Sequence, residues 1–280
     1  MTPLRHWLTR TAAAGAVLAG LAWGSTYLLT ERRLHATSAW PVLPVGRVPA
    51  DEAARRDGAR LGRVLGCASC HGEGLSGARH EDARTGVDLV APNLTRLVPA
   101  YGDDALARAI RAGVGRDGRA LYGMPARSFR HLTDEDVRRL IAWLRTLPAR
   151  ADAVGARRLR LIDRLRLLAG VGMPDALTMA PAAPIRPSAS DATTRGRYLA
   201  HVACGECHGA TLEGDGARVP PLTVAVAYTE DAFRHLMRTG ETPGGRDLWL
   251  MDDTARARFA HLTDEEIADL YAYLRSRAGQ

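Results

Sequence analysis

Two five-residue strings, CASCH at residues 67–71 and CGECH at residues 204–208, use every cysteine in this 280-residue chain. Three chemistries use a C-x-x-C pair: disulfide exchange, zinc binding and covalent attachment of haem c. The histidine that follows each second cysteine points to the third, because C-x-x-C-H is the spacing of haem attachment. There the two sulfurs form thioethers with the haem vinyl groups and the adjacent histidine ligates the iron, so the porphyrin edge sets the spacing. A thioredoxin-like redox pair expects a βαβ context, and none is visible around either string. Zinc would need about four N or S ligands per site, and each string offers three crowded ones. Cys67, Cys70 and His71, with Cys204, Cys207 and His208, are therefore read as two sites for covalently attached haem c.

The strings lie 137 residues apart, and the sequence around them repeats, a pattern to be sought before any fold is assigned. AYGDDALARAIRAGVGRDGRALYGM (100–124) and AYTEDAFRHLMRTGETPGGRDLWLM (227–251) agree at ten of 25 positions without a gap, and HLTDEDVRRLIAWLR (131–145) and HLTDEEIADLYAYLR (261–275) at nine of 15. APNLT at 91–95 answers VPPLT at 219–223. The chain is expected to be a tandem duplication of a module of about 90 residues, an ordinary domain size. So small a unit buries little core by itself, and a haem in its interior would supply much of the apolar contact.

Ahead of the modules, residues 11–29 carry no charged side chain. Nineteen helical residues reach about 29 Å, close to the hydrocarbon thickness of a bilayer. Two readings stand: a retained membrane anchor, with Arg5 and Arg10 on the cytoplasmic side, or a cleaved signal peptide, for which 22–24 and 37–39 are mediocre cleavage sites. Either takes the body of the chain out of the cytoplasm, to a compartment where free thiols would oxidise. The expected location is the bacterial inner membrane, with the haem modules facing the periplasm.

The formal charge of +7 is uneven: residues 56–148 carry +4 and residues 191–280 carry −4, and all 38 basic residues are arginine. No basic stripe interleaved with aromatics is present, so nucleic acid is not expected as a partner. The asymmetry reads either as docking surfaces for differently charged partners or as unselected drift.

The expected organisation is an anchor or signal segment at 1–33, a proline-bearing spacer at 34–54, a first module at 55–148, a linker at 149–190 and a second module at 191–280. Within each module a helix leads into the cysteine string and a Gly-rich loop follows it (72–86 and 209–218). Next comes a helix over 103–112 or 230–239, ended by Gly113 or Gly240, and a last helix capped by Thr133 or Thr263. Each module is thus all-α with long loops. In the linker, RRLRLIDRLRLL (157–168) places Leu161, Ile162, Leu165 and Leu168 on one face, which suits either a membrane surface or packing on the modules. The Pro-rich stretch after it, 179–190, reads as a tether.

An electron-carrying haem commonly takes His and Met as axial ligands. Met124, in YGMP, is the first module's candidate, and gap-free correspondence selects Met251 in the second. Met237 falls inside a helix and is read as core. Met251 is followed by Asp252 and Asp253 rather than proline, and the stretch before His261 is three residues longer than its counterpart, so a looser site or another ligand stays open. His131 and His261 precede helix caps and are read as surface or supporting residues.

CASCHG, APNLT, the YGMP loop and HLTDEDVRRLIAWLR resemble the class I cytochrome c modules of membrane-bound dehydrogenase cytochrome subunits. Paired with CGECHG and HLTDEEIADLYAYLR, they are similar to the multihaem cytochrome subunits of alcohol and related dehydrogenases, over about residues 55–148 and 192–277. Those relatives often have three modules, and this chain has two. The resemblance implies two tandem class I cytochrome c modules after an N-terminal transmembrane helix. It also implies that the proline carbonyl of the APNLT loop accepts from the proximal histidine: Pro92 for His71, and Pro220 for His208. The implied function is transfer of single electrons between a dehydrogenase or quinol donor and a downstream respiratory acceptor. Redox proteins would be the partners: a dehydrogenase subunit, an oxidase or another cytochrome. The alternative is a dihaem, peroxidase-like enzyme with one haem open to substrate.

Overall fold

The computed structural model describes residues 2–81, 88–151, 154–155, 157–180 and 183–279. Parts of the first Gly-rich loop (82–86) and of the tether (181–182) lie outside the described residues. Helix α1 (Thr2–Leu34) is followed by α2 (Glu52–Val64), α3 (Cys67–His71), strands β1 (Ala78–Glu81) and β2 (Asp88–Ala91), α4 (Leu94–Leu97), α5 (Asp103–Ala112), α6 (Ala126–Phe129) and α7 (Asp134–Leu144). The linker holds α8 (Leu161–Leu168) and α9 (Asp175–Thr178). The second module comprises α10 (Ala192–Leu199), α11 (Gly205–His208), α12 (Glu230–Thr239), α13 (Leu250–Ala257) and α14 (Asp264–Ala278).

The frame of each module is a crossing of its first and last helices, α2 on α7 and α10 on α14. Glycines make the approach possible. A Cβ on Gly58 would lie 2.0 Å from the Arg139 carbonyl oxygen, and one on Gly62 2.2 Å from the Trp143 ring. A Cβ on Gly196 would lie 1.9 Å from the Asp269 oxygen and 2.8 Å from the Tyr273 Cβ. Arg139 and Asp269, like Trp143 and Tyr273, occupy matching positions of the two HLTD segments, so the duplication has kept the crossing itself. Caps set the helix starts: Thr133 Oγ1 accepts from Asp136 N at 3.1 Å, and Thr263 and Glu266 form a reciprocal capping box. Each such cap is worth about 1 kcal/mol. The middle helix is clamped to the same corner in both copies. Arg111 donates to the Leu132 carbonyl and pairs with Asp134 at 2.7 Å, and Arg238 likewise bonds the Leu262 carbonyl and Asp264, the latter at 2.7 Å.

The structure departs from the sequence-based expectation in several places. The first Gly-rich loop is not irregular throughout: β1 and β2 pair antiparallel, Ala78 opposite Ala91 and Glu81 opposite Asp88. The spacer is not free. Between Leu34 and Glu52 it has no helix, as its prolines dictate, but Val45 is buried in the first core, its N–H donates to Asp104 at 2.8 Å, and Ser38 N donates to the Gly118 carbonyl at 2.9 Å. Helix α8 starts at Leu161 rather than at residue 157. Its basic side is the covered one: Arg164 donates to Thr30 at 2.6 Å and Glu31 at 2.9 Å and lies over the Tyr27 ring, while Leu161, Ile162 and Leu165 are exposed. Trp7–Leu34 is long and apolar enough to cross a membrane, and Val17, Leu18, Leu21 and Leu28 along it are exposed.

The modules also share their interiors. Tyr198, Leu199 and Val202 of the second belong to the core of the first, and Val64 of the first to the core of the second. Arg60 forms a bidentate pair with Glu266 at 2.7 and 3.0 Å, so part of the opposite charge of the two halves is met across their own boundary. His131 is not a surface residue. It is buried at this junction, edge-on to His201 with ring centroids 5.5 Å apart, and its Nδ1 accepts from Ile185 N at 3.3 Å. Burial, reinforced by Arg130 and Arg197, pulls His131 down to about 4. Burial, then His131 and the surrounding Arg197, Arg277 and Arg130, does the same to His201.

Two outcomes follow. Gly196→Ala forces a methyl group against the α14 backbone and is expected to destabilise the chain by about 1–3 kcal/mol in urea unfolding, whereas Gly20→Ala, with nothing within 4 Å and a helical backbone that favours alanine, does not lower the midpoint. His131 and His201 are held neutral in the folded chain, whereas the unfolded chain protonates them near the ordinary value of about 6.5. Their contribution is complete above that value and is lost as pH falls toward 4. Urea midpoints should decline over that window, and less steeply for the double variant His131→Asn, His201→Asn.

Candidate functional site

Each string is a short turn of helix held at the end of the first helix of its module. In the first, Gly66 at φ 75 ends α2 and starts α3, so Cys67 and Cys70, three apart, lie on one side of a single turn. In the second, a π-helical turn over Ala200–Cys204 carries α10 into α11. No disulfide joins the four cysteines. Burial, then the neighbouring Cys70, pushes Cys67 up to about 12, and burial, opposed by Arg258 and assisted by Cys207, does the same for Cys204. Such groups are protonated at neutral pH, the opposite of the depressed thiolates used in disulfide exchange.

After each histidine the backbone makes the same turn twice. Gly72 (φ 75, ψ 176) and Gly209 (φ 79, ψ 172) follow His71 and His208, and the histidine carbonyls accept from Gly77 N and Gly214 N, both at 2.8 Å. Four residues after each histidine stands a buried leucine in left-handed backbone, Leu75 at φ 57 and Leu212 at φ 63. A left-handed non-glycine residue costs roughly 1–2 kcal/mol and persists where the surroundings over-determine it. Here burial of both side chains in the two cores does so.

The turn brings each imidazole to a proline carbonyl. His71 Nδ1 donates to Pro92 O at 2.8 Å and His208 Nδ1 to Pro220 O at 2.9 Å. A carbonyl can only accept, so Nδ1 carries the proton and Nε2 presents its lone pair. Burial holds both rings below the usual histidine range, opposed by those bonds and, for His71, assisted by His80. A neutral ring with a fixed tautomer is the form that ligates a metal. The loops that present the prolines differ. Asn93 caps α4 by accepting from Thr95 N at 3.0 Å and donates to the Arg150 carbonyl at 3.0 Å. Pro221 stands in its place in the second module, where Leu222 N bonds the Leu212 carbonyl at 2.8 Å instead.

Met124 follows Gly123 (φ 83) and packs half-buried against the first core. Met251 packs in the same way on the second core, but not from a loop: it lies in the first turn of α13, and the three extra residues are absorbed by that helix, eight residues long against four in α6. Its approach is stiff. Trp249 sits at φ 57, and Asp252 accepts from Leu248 N at 2.9 Å. The glycine ending the middle helix faces the methionine segment in both modules. A Cβ on Gly113 would lie 3.1 Å from Ala126 Cβ, and one on Gly240 2.5 Å from the Asp252 oxygen. Met237 is buried in the second core, on α12. Sequence reasoning passed over His80, whose Nε2 donates to the Cys70 carbonyl at 2.7 Å, and Arg258, buried between the strings; a lone histidine and one arginine among 38 give no local signal.

The donor set fits a haem: paired thiols on one turn, a neutral imidazole with Nε2 open, and a core-packed thioether further along the chain. A cytochrome c family model matches residues 56–148 and again 193–278. The fructose dehydrogenase cytochrome subunit of Gluconobacter japonicus is 29% identical over 244 residues, covering 75% of this chain and 50% of that protein. The gluconate 2-dehydrogenase cytochrome c subunit of Pantoea cypripedii is 26% identical over 269 residues, 81% of this chain and 60% of that protein. The chain thus spans about half to three-fifths of the length of these relatives. With the family's pattern matched over two regions and the same histidine–proline geometry in each, the chain belongs to the cytochrome c family.

Proposed function

We propose that the chain carries two haem c groups and relays single electrons, as the cytochrome subunit of a membrane-bound dehydrogenase, toward a downstream respiratory acceptor. The observation that carries this reading is the repeated bond from His71 and His208 to the Pro92 and Pro220 carbonyls. Cys67 and Cys70 would hold the first haem and Cys204 and Cys207 the second, with His71 and Met124, and His208 and Met251, as the axial ligands. Haem c supplies an iron that accepts and releases one electron without a proton or a substrate atom.

The chain's own residues set how that iron behaves. Carbonyl acceptance at Nδ1 raises the basicity of the ligating nitrogen and orients the ring. The thioethers of Met124 and Met251 would favour the reduced iron. Met124 and Met251, packed against the two cores, would each supply a second ligand beside the histidine, which suits electron transfer rather than chemistry on a bound substrate. The curated relatives are named as dehydrogenase cytochrome subunits, which supports a dehydrogenase as the donor.

Membrane attachment is part of the proposal. The exposed apolar length of α1 supports an anchor, and its last turn is bonded to α8 through Thr30 and Glu31, a tie that cleavage after residue 39 would remove. The open Leu161, Ile162 and Leu165 beside that turn suit the interfacial region of a bilayer at the periplasmic face.

Purified full-length protein should contain two covalent haems per chain by its pyridine haemochrome spectrum; one haem or none would refute the reading. Met124→Ala and Met251→Ala should each remove about half of the weak Met–iron absorption at the red end of the oxidised spectrum. If Met251→Ala leaves that band whole, another residue ligates the second iron. N-terminal sequencing of membrane-extracted protein should find the chain intact through residue 34, and a start after residue 24 or after residue 39 would replace the anchor by a leader.

A further inference from the structure

Arg258, 7% exposed, stands just ahead of the turn that leads into α14 and reaches the second cysteine string and the residues just ahead of the first. Its Nε donates to the Val64 carbonyl at 3.1 Å, three residues before Cys67. The two terminal nitrogens donate to the Glu206 carboxylate at 2.9 Å, inside CGECH, and to the Ala203 carbonyl at 3.4 Å, next to Cys204. A Cβ on Gly66, adjacent to Cys67, would stand 2.7 Å from Arg258 Nε. The glycine is therefore needed twice over, for its φ of 75 and for the space the guanidinium occupies.

The duplication makes this contact informative. The matching position of the first module is Ser128, also buried, and a Cβ on Gly205 would stand 3.0 Å from its hydroxyl. The same position in each module thus lies at the approach to the other module's string, Ser128 beside Gly205 within CGECH and Arg258 beside Val64 and Gly66 just ahead of CASCH, but in one direction the group is a neutral hydroxyl and in the other a cation. Reduction adds one electron to an iron site. A buried cation beside the site favours the reduced form and an anion disfavours it, with little screening where water is excluded. Glu206, lying within the second string, opposes the cation most strongly there.

We propose that Arg258 is a shared tuning residue whose buried charge, held between the two strings, raises the reduction potentials of both haems. The proposal rests on the reading that both strings carry haem. In spectroelectrochemical titrations of the full-length holoprotein, Arg258→Gln should lower both midpoint potentials by at least about a tenfold change in the reduction equilibrium, about 59 mV for a one-electron couple. Glu206→Gln should raise the potential of the second haem, and the double variant should return toward the parent. A purely structural role would change unfolding midpoints without moving the potentials in opposite directions. Should Arg258→Gln fail to fold, Arg258→Lys, which keeps the charge, should hold both potentials within about threefold of the parent in the reduction equilibrium, and Glu206→Gln remains readable. Two haems per chain with unmoved potentials, or with a shift confined to one haem in Arg258→Gln, would overturn the proposal alone. Fewer than two haems in the parent protein would overturn the reading beneath it.

Discussion

The close crossing of the first and last helices in each module is the contact from which the remaining geometry is built. Where α2 meets α7 and α10 meets α14, glycine lets one backbone rest on the other, and each cysteine string is the next segment of the chain after that contact. The crossing fixes where the string starts. The turn after the histidine, with its left-handed leucine, then fixes where the ring points, and the proline loop receives the ring's proton. Each step takes its position from the one before, so both modules arrive at the same imidazole geometry although their proline loops are braced differently.

Much of this was legible in the residues. The strings, the repeat, the bounds of α5 and α12 and the capped starts of α7 and α14 were readable because glycine, threonine and acidic residues act locally, through backbone angles and free N–H groups. The histidine–proline pairing was legible through family resemblance. The hairpin of β1 and β2 was not, because ARHE and DLVA lack the alternation of a half-buried strand and sit among loop-forming glycines. Gly58, Gly62 and Gly196 read as weak points within helices; their use appears once the facing backbone is in place. His131, judged from a helix cap alone, was misplaced because its burial comes from His201 and Ile185, 54 or more residues further along the chain.

The charge of the two halves takes on a different aspect beside the fold. A basic first module and an acidic second one suggested separate surfaces for separate partners or simple drift. The pair of Arg60 with Glu266 and the reach of Arg258 to the Val64 carbonyl show charged groups of one module satisfied at the boundary with the other. Exposed ion pairs contribute little to stability, but the Arg258 contacts are enclosed, and removal of one partner there would leave a desolvated charge behind.

The exchange of side chains between the cores bears on the order in which the molecule can be completed. A polypeptide made from its N-terminus presents α2 through α7 long before residues 198–202 exist, yet Tyr198, Leu199 and Val202 finish the interior of that first half. Until they arrive an apolar face stands open, and Val64 waits for the opposite interior. Domains that can close on themselves mature one after another during synthesis. Here the early half is left as a template that the late half completes, so the final stretch of chain governs when either half reaches its finished shape.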